Sequence, residues 1–170
     1  LLAPKMEYEK AKKSTIKKVY AIDKKKFFDS FKSVVRKNRL RGRNIAIDAT
    51  NFNLNFYRQF KKEFKKAKTK DISLDCLKLR QIKTYEEIQI IKKAFGHGNK
   101  ILDKAINNFG DFKTESDASS FLEYETKKLG FDVSFPPIVA SGKNASMPHH
   151  EPENVKLKNG FCVIDFGIKY

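Results

Sequence analysis

The chain has 170 residues, 40% of them hydrophobic and 12% aromatic, with 36 basic against 20 acidic side chains for a net charge of +16. That is enough for one domain or two small ones with a buried core, and too many apolar residues for a disordered protein. No apolar run approaches the roughly 20 residues of a membrane span, and the opening "LLAPKMEYEKAKK" turns charged too soon for a signal peptide.

Charge divides the chain. Residues 1–70 hold 22 Lys and Arg against 6 Asp and Glu, whereas residues 71–170 hold 14 of each. The whole surplus lies in the first segment, a composition shift of the kind that separates domains. The two cysteines, Cys76 and Cys162, form neither a disulfide framework nor a metal-ligand spacing. Cys162 alternates with Ile164 and Phe166 and reads as a buried thiol. A reducing, cytoplasmic setting is the expectation. The chain opens on "LLAP", which reads as the end of a strand, and without an initiator Met; a segment cut at this end is expected.

In chain order, "KKVYAI" (17–22) is a short β-rich run. "KKKFFDSFKSVVRKN" (24–38) then places Phe27, Phe28, Phe31, Val34 and Val35 on one helical face. Gly42 in "RLRGRN" breaks that pattern, and "NIAID" (44–48) reads as a strand. "NFNLNFYRQFKKEFKKAK" (51–68) predicts a second amphipathic helix with Tyr57, Phe60 and Phe64 at helical spacing. Strand alternating with helix argues for an α/β unit.

From Leu77 the character changes. "LRQIKTYEEIQIIKKAFGHGNKILDKAINNF" (79–109) is a long helix candidate, with Thr84 and Glu87 spaced as a capping box. Ile88, Ile91, Phe95, Leu102 and Ile106 are its predicted apolar positions, and Gly96 and Gly98 weaken its middle. A further helix is predicted at "TESDASSFLEYETKKLG" (114–130), capped by Thr114 and Asp117 and stopped by Gly130. A loop-rich stretch leads to the strand "FCVIDFG" (161–167). Helices followed by β structure suggest α+β for this part. The sequence contains no internal repeat and no low-complexity linker.

On the last strand, Phe161, Val163 and Asp165 point one way and Cys162, Ile164 and Phe166 the other. Both faces are largely apolar, which predicts a strand covered on both sides. An ionised carboxylate there is costly unless it is paired or metal-bound; backbone amides, an arginine or a metal would each meet that need. His149 and His150, in "MPHHEP", lie in a loop stiffened by Pro148 and Pro152, and the pattern does not choose between a structural turn and a site. His97, between two glycines, reads as a surface or capping residue.

Four stretches stand in a familiar order: "LRQIKTYEEIQIIKKAF" (79–95), "TESDASSFLE" (114–123), "FPPIVASGKNASMPHH" (135–150) and "LKNGFCVIDFG" (157–167). Together they resemble the pita-bread metallopeptidases, in the branch of Xaa-Pro dipeptidase (prolidase) and aminopeptidase P. The resemblance is close over 78–170, and the earlier α/β segment looks like the later part of that branch's N-terminal domain. It implies a creatinase-like α/β N-terminal portion (1–77) followed by the first half of an α+β pita-bread catalytic domain (78–170).

The resemblance also implies roles. Asp165 corresponds to a ligand of a centre of two divalent metal ions, for which a carboxylate-rich set suits Mn, Co, Zn or Fe. His149 corresponds to an active-site histidine that hydrogen-bonds the substrate or stabilises the intermediate; His150 inherits no role. Gly142 and Asn144 are expected to shape the pocket wall. The family's other metal ligands lie further along than Tyr170, so the resemblance implies a segment holding a single ligand, inactive by itself and unable to hold the metals tightly. The implied activity of the parent is metal-dependent hydrolysis of Xaa-Pro bonds in dipeptides or peptides, in a branch that commonly forms homodimers, with no membrane partner. The alternative is a non-catalytic pita-bread protein that binds nucleic acid or protein through its basic first segment. Lysines spread over several elements, without aromatic–basic interleaving, do not favour nucleic acid.

Overall fold

A computed structural model of the chain describes residues 1–23, 26–39 and 44–170; the predicted break at Gly42 lies outside the described residues. They form two compact units, Leu1–Ile82 and Lys83–Tyr170. Among them no helix is long and apolar enough to cross a membrane.

The first unit repeats a strand–helix–strand plan. Strand β1 (Leu2–Pro4) is followed by a short helix α1 (Tyr8–Lys12) and pairs in parallel with β2 (Tyr20–Ile22). After helix α2 (Phe27–Lys37), strand β3 (Asn44–Ile47) is followed by α3 (Leu54–Glu63) and pairs in parallel with β4 (Lys68–Asp71). Parallel neighbours require such crossovers. Asn53 caps α3 through its side chain, which accepts from the Phe56 amide. A last helix, α4 (Ser73–Gln81), completes the unit and contains Leu77.

The core of this unit is aromatic. Phe28, Phe60 and Ala67 are buried, with Phe27, Phe31, Phe52, Phe56, Tyr57 and Phe64 packed against them. The Phe28 and Phe56 rings lie 5.0 Å apart, and Phe60 stacks on Phe64 at 5.1 Å. The phenylalanines predicted on α2, and Tyr57 and Phe60 of α3, lie in this one cluster together with Phe56.

In the second unit, helix α5 (Tyr85–Asn107) begins at Thr84 with both reciprocal hydrogen bonds of the capping box. The predicted run from Leu79 is therefore two helices, because Ile82 is extended and ends α4. Helix α6 (Glu115–Lys128) has a second box between Thr114 and Asp117. It stops at Gly130, whose φ of +82° suits a residue without a Cβ. Strands β5 (Asp132–Val133) and β8 (Ile168–Lys169) pair antiparallel, as do β6 (Ile138–Ser141) and β7 (Cys162–Asp165).

The core here is Ile101 and Ala105 of α5, Ala118 and Leu122 of α6 and Val139 of β6. Cys162, Ile164 and Phe166 pack on that cluster. Two expectations are corrected. Strand β7 is covered on one face only: Phe161 is 91% exposed and Val163 44%, with Asp165 exposed on the same side. The helices pack on one side of the β6–β7 ladder, and among the described residues no layer covers the other. On α5, the positions that reach the core are Ile101 and Ala105, whereas Ile88, Ile91, Phe95 and Ile106 are exposed.

Leu122 is fully buried, so Leu122→Ala should lower stability by about 2–5 kcal/mol through lost burial and the cavity left behind. Urea denaturation should show this as a lower midpoint with an unchanged slope.

Candidate active site

The β6–β7 register sets Ile138 opposite Asp165. That places Asp165 at the end of the ladder where β6 begins, next to Phe135 and Pro136, and residues 149–152 of the loop after β6 return to this end. The result is a pocket lined by Phe135, Pro136, Ile138, His149, His150, Glu151, Pro152 and Asp165. His149 and Asp165, far apart in sequence, share one pocket. Of this pocket Gly142 and Asn144 form no part. Asp165 makes no ion pair or side-chain hydrogen bond among the described residues, with arginine or with backbone. On its other side it borders an apolar groove with Ile91, Phe95, Leu102, Ile164, Phe166 and Ile168.

His149 and His150 are treated in opposite ways. His149 is exposed and its backbone is left-handed, with φ of +58°, a conformation that costs an L-residue roughly 1–2 kcal/mol. His150 is 8% exposed, and its Nε2 lies 2.8 Å from Oε2 of Glu115. An ionised carboxylate only accepts hydrogen bonds, so Nε2 carries the proton.

Glu115 was not singled out as a site residue in the sequence, although it stands inside the motif "TESDASSFLE". It is the first residue of α6 and fully buried. Its Oε1 accepts from the Ser141 amide at 2.7 Å and the Ser141 hydroxyl at 3.0 Å. Asn144 Nδ2 donates to both oxygens, at 3.1 and 3.2 Å, and the Glu153 amide to Oε2 at 3.4 Å. The same helix end is closed from outside: the amides of Glu115 and Ser116 donate to the carbonyls of Val155 and Glu153, partners that helix N-termini otherwise lack. Burial raises the Glu115 pKa, but the Ser141 amide, His150, Asn144 and the Ser141 hydroxyl together outweigh it and lower the value to about 2.

The two remaining predicted residues have structural partners. Asn144 is bound to Glu115. Gly142 has φ of +56°, and a Cβ there would lie 2.9 Å from Cβ of Lys158, so close approach of the chain requires a glycine. His97 packs on Phe131 and Tyr170 with ring centroids at 5.0 and 5.5 Å, away from the pocket. Burial pushes the Cys162 thiol pKa up, which disfavours a reactive thiolate.

The Glu115 pKa is lower folded than unfolded, so its contribution to stability is fully present above about pH 4.5 and is lost as pH falls toward about 2. That loss should amount to roughly 3 kcal/mol. Chemical denaturation between pH 6 and 2 should show it in the natural chain (the pH range being ~4 units wide). Glu115→Gln should be less stable at neutral pH and flatter over the acid range.

Comparison with known proteins bears on both units. Residues 1–82 match the creatinase/prolidase N-terminal domain and residues 89–170 match metallopeptidase family M24. The Xaa-Pro dipeptidase of Pyrococcus furiosus is 33% identical over 177 residues, an overlap of 100% of this chain and 47% of that protein. The crystal structure of X-Pro aminopeptidase from Thermotoga maritima superposes with a TM-score of 0.88 at 27% identity, over 100% of this chain and 48% of that one. Prolidase from Pyrococcus furiosus does so with a TM-score of 0.82 at 28% identity, over 99% and 51%. The chain thus spans about half the length of the curated relatives it matches. The fold is a creatinase-type α/β unit followed by α+β structure of the pita-bread type. With one unit matched to each half of that plan, and the pocket of the second formed from the segments that carry the resemblance, the chain belongs to the creatinase/prolidase branch of the M24 metallopeptidases.

Proposed function

We propose that the protein to which this chain belongs hydrolyses Xaa-Pro peptide bonds in a metal-dependent reaction, with Asp165 as a metal ligand and His149 as a group that hydrogen-bonds the substrate. The observation that carries the reading is the single pocket lined by both residues. Family membership supports the hydrolase class, and the relatives named as Xaa-Pro dipeptidase, X-Pro aminopeptidase and prolidase support the substrate class.

Asp165 fits a metal by its chemistry. It is an exposed hard oxygen donor with no cation or amide of its own among the described residues, as a ligand carboxylate should be before metal binding. It fits as one donor of a set, because the described residues contain no group of three or more His, Cys, Asp or Glu able to hold an ion. The chemistry two divalent ions supply when bound is a water acidified to near neutrality and charge stabilisation of the tetrahedral oxyanion. Mn, Co, Zn and Fe are the proposed ions.

The rest falls to the chain's own residues. His149, exposed in the pocket, offers a ring N–H to a peptide carbonyl or to the developing oxyanion. Phe135, Pro136 and Ile138 give the pocket an apolar wall that suits a substrate side chain or a proline ring. Proline defines the substrate class because it lacks an N–H and has a fixed φ, so enzymes that grip an extended backbone lose a donor there.

In the full-length protein loaded with Mn²⁺ or Co²⁺, release of proline from an Xaa-Pro dipeptide is the expected activity. Asp165→Asn should lower the bound metal measured by elemental analysis and abolish turnover. His149→Ala should retain the metal and reduce kcat by about 10²–10³-fold. Absence of turnover from the loaded natural protein would end this reading.

A further inference from the structure

We infer that Glu115 is a positioning residue for the proposed site: by holding the chain on both sides of His149, it fixes that imidazole in the pocket it shares with Asp165. The inference rests on the reading of His149 given above and goes beyond it, since Glu115 does not line the pocket.

His149 lacks an anchor of its own. It makes no hydrogen bond among the described residues, and its left-handed backbone is not one that histidine adopts by default. A conformation of that kind persists where the surroundings impose it. The neighbours on either side are held by the same carboxylate. Upstream, Ser141 donates through its amide and hydroxyl and Asn144 through its amide group; downstream, His150 donates through Nε2 and Glu153 through its amide. Pro148 fixes φ immediately before His149. The segment between Asn144 and His150 is thus tied at both ends to one atom group on the rigid first turn of α6.

The choice of a carboxylate follows from the donors. Every group that faces Glu115 presents a proton, so the acceptor must have no proton to offer. A glutamine could keep the bonds to Ser141 through its oxygen, but its amino group would confront the Asn144 amino group and the Glu153 amide, and would suit His150 only in the opposite tautomer. Glutamate is the side chain that satisfies both ends of the segment together.

Imidazole ¹H–¹⁵N spectra of the full-length protein, with the His149 and His150 resonances assigned, test this without reference to turnover. The natural chain should show His150 protonated at Nε2 and His149 as a single ordered ring. His150→Gln, whose side-chain amide can donate from nearly the same place, should leave the His149 resonances unmoved. His150→Ala should shift them to those of a free, mobile imidazole. Glu115→Gln should do the same, and should also speed hydrogen exchange at the Glu153 amide by about 10–100-fold while leaving the Ser141 amide protected. If Glu115→Gln does not fold, the two His150 variants decide. His149 resonances that stay put in His150→Ala, or that move equally in His150→Gln, would overturn the inference and leave Xaa-Pro turnover untouched. A full-length protein that does not turn over would instead remove the catalytic reading while leaving these spectra as they are.

Discussion

The second unit depends on the solvation of one buried charge. A carboxylate removed from water costs several kcal/mol unless the protein replaces the lost hydrogen bonds. Glu115 is fully buried, and its replacements come from Ser141, Asn144, His150 and Glu153. Its location helps, because the first turn of a helix carries free amides and partial positive charge that favour an anion. The loop after β6 supplies the donors and, through the carbonyls of Glu153 and Val155, also takes up free amides of that turn. Helix and loop therefore satisfy each other. Neither could be buried alone without stranded polar groups.

That mutual closure fixes the distance from the helix to the pocket. Ser141 is the last residue of β6 and pairs with Cys162, the first of β7. The ladder then runs to Ile138 opposite Asp165. From Glu115, one path leads through the loop to His149 and another through the ladder to Asp165. The ladder is hydrogen-bonded and packed on Ile101, Ala118 and Leu122, and the loop is tied to Glu115 at Asn144, His150 and Glu153. Such a frame can hold the candidate residues His149 and Asp165 in place without contacts of their own.

Local signals in the sequence were legible where local forces decide the outcome. Both capping boxes, the stop at Gly130 and the aromatic stripes of α2 and α3 formed as the spacing predicts, since each depends on neighbours within a turn or two. Strand β4 was not legible. Its residues, Lys68–Asp71, carry two lysines and an aspartate, and only the parallel pairing to β3 makes them a strand. The helical phase of α5 also misled, because Ile101 and Ala105 are distinguished from Ile91 and Phe95 only by where α6 and the ladder cover the helix. Alternation of apolar residues along β7 predicted cover on two faces, while packing supplies one. Glu115 was hidden for a related reason: a glutamate opening a helix is ordinarily a solvated surface residue, and its partners lie at residues 141–153.

The two acids of the second unit show why burial by itself is a poor guide to chemistry. Glu115 is the more buried, and has its pKa lowered to about 2; its oxygens are already occupied by donors, so it has neither lone pairs to spare for a metal nor an affinity for a proton suited to neutral pH. Asp165 is exposed, carries no competing hydrogen bond among the described residues and opens into a pocket with a histidine. A ligand or reacting group must have unfilled coordination, whereas a structural anchor must have none. By that criterion the carboxylate at the end of β7 is the one free to act, and the one at the start of α6 is committed to holding the scaffold.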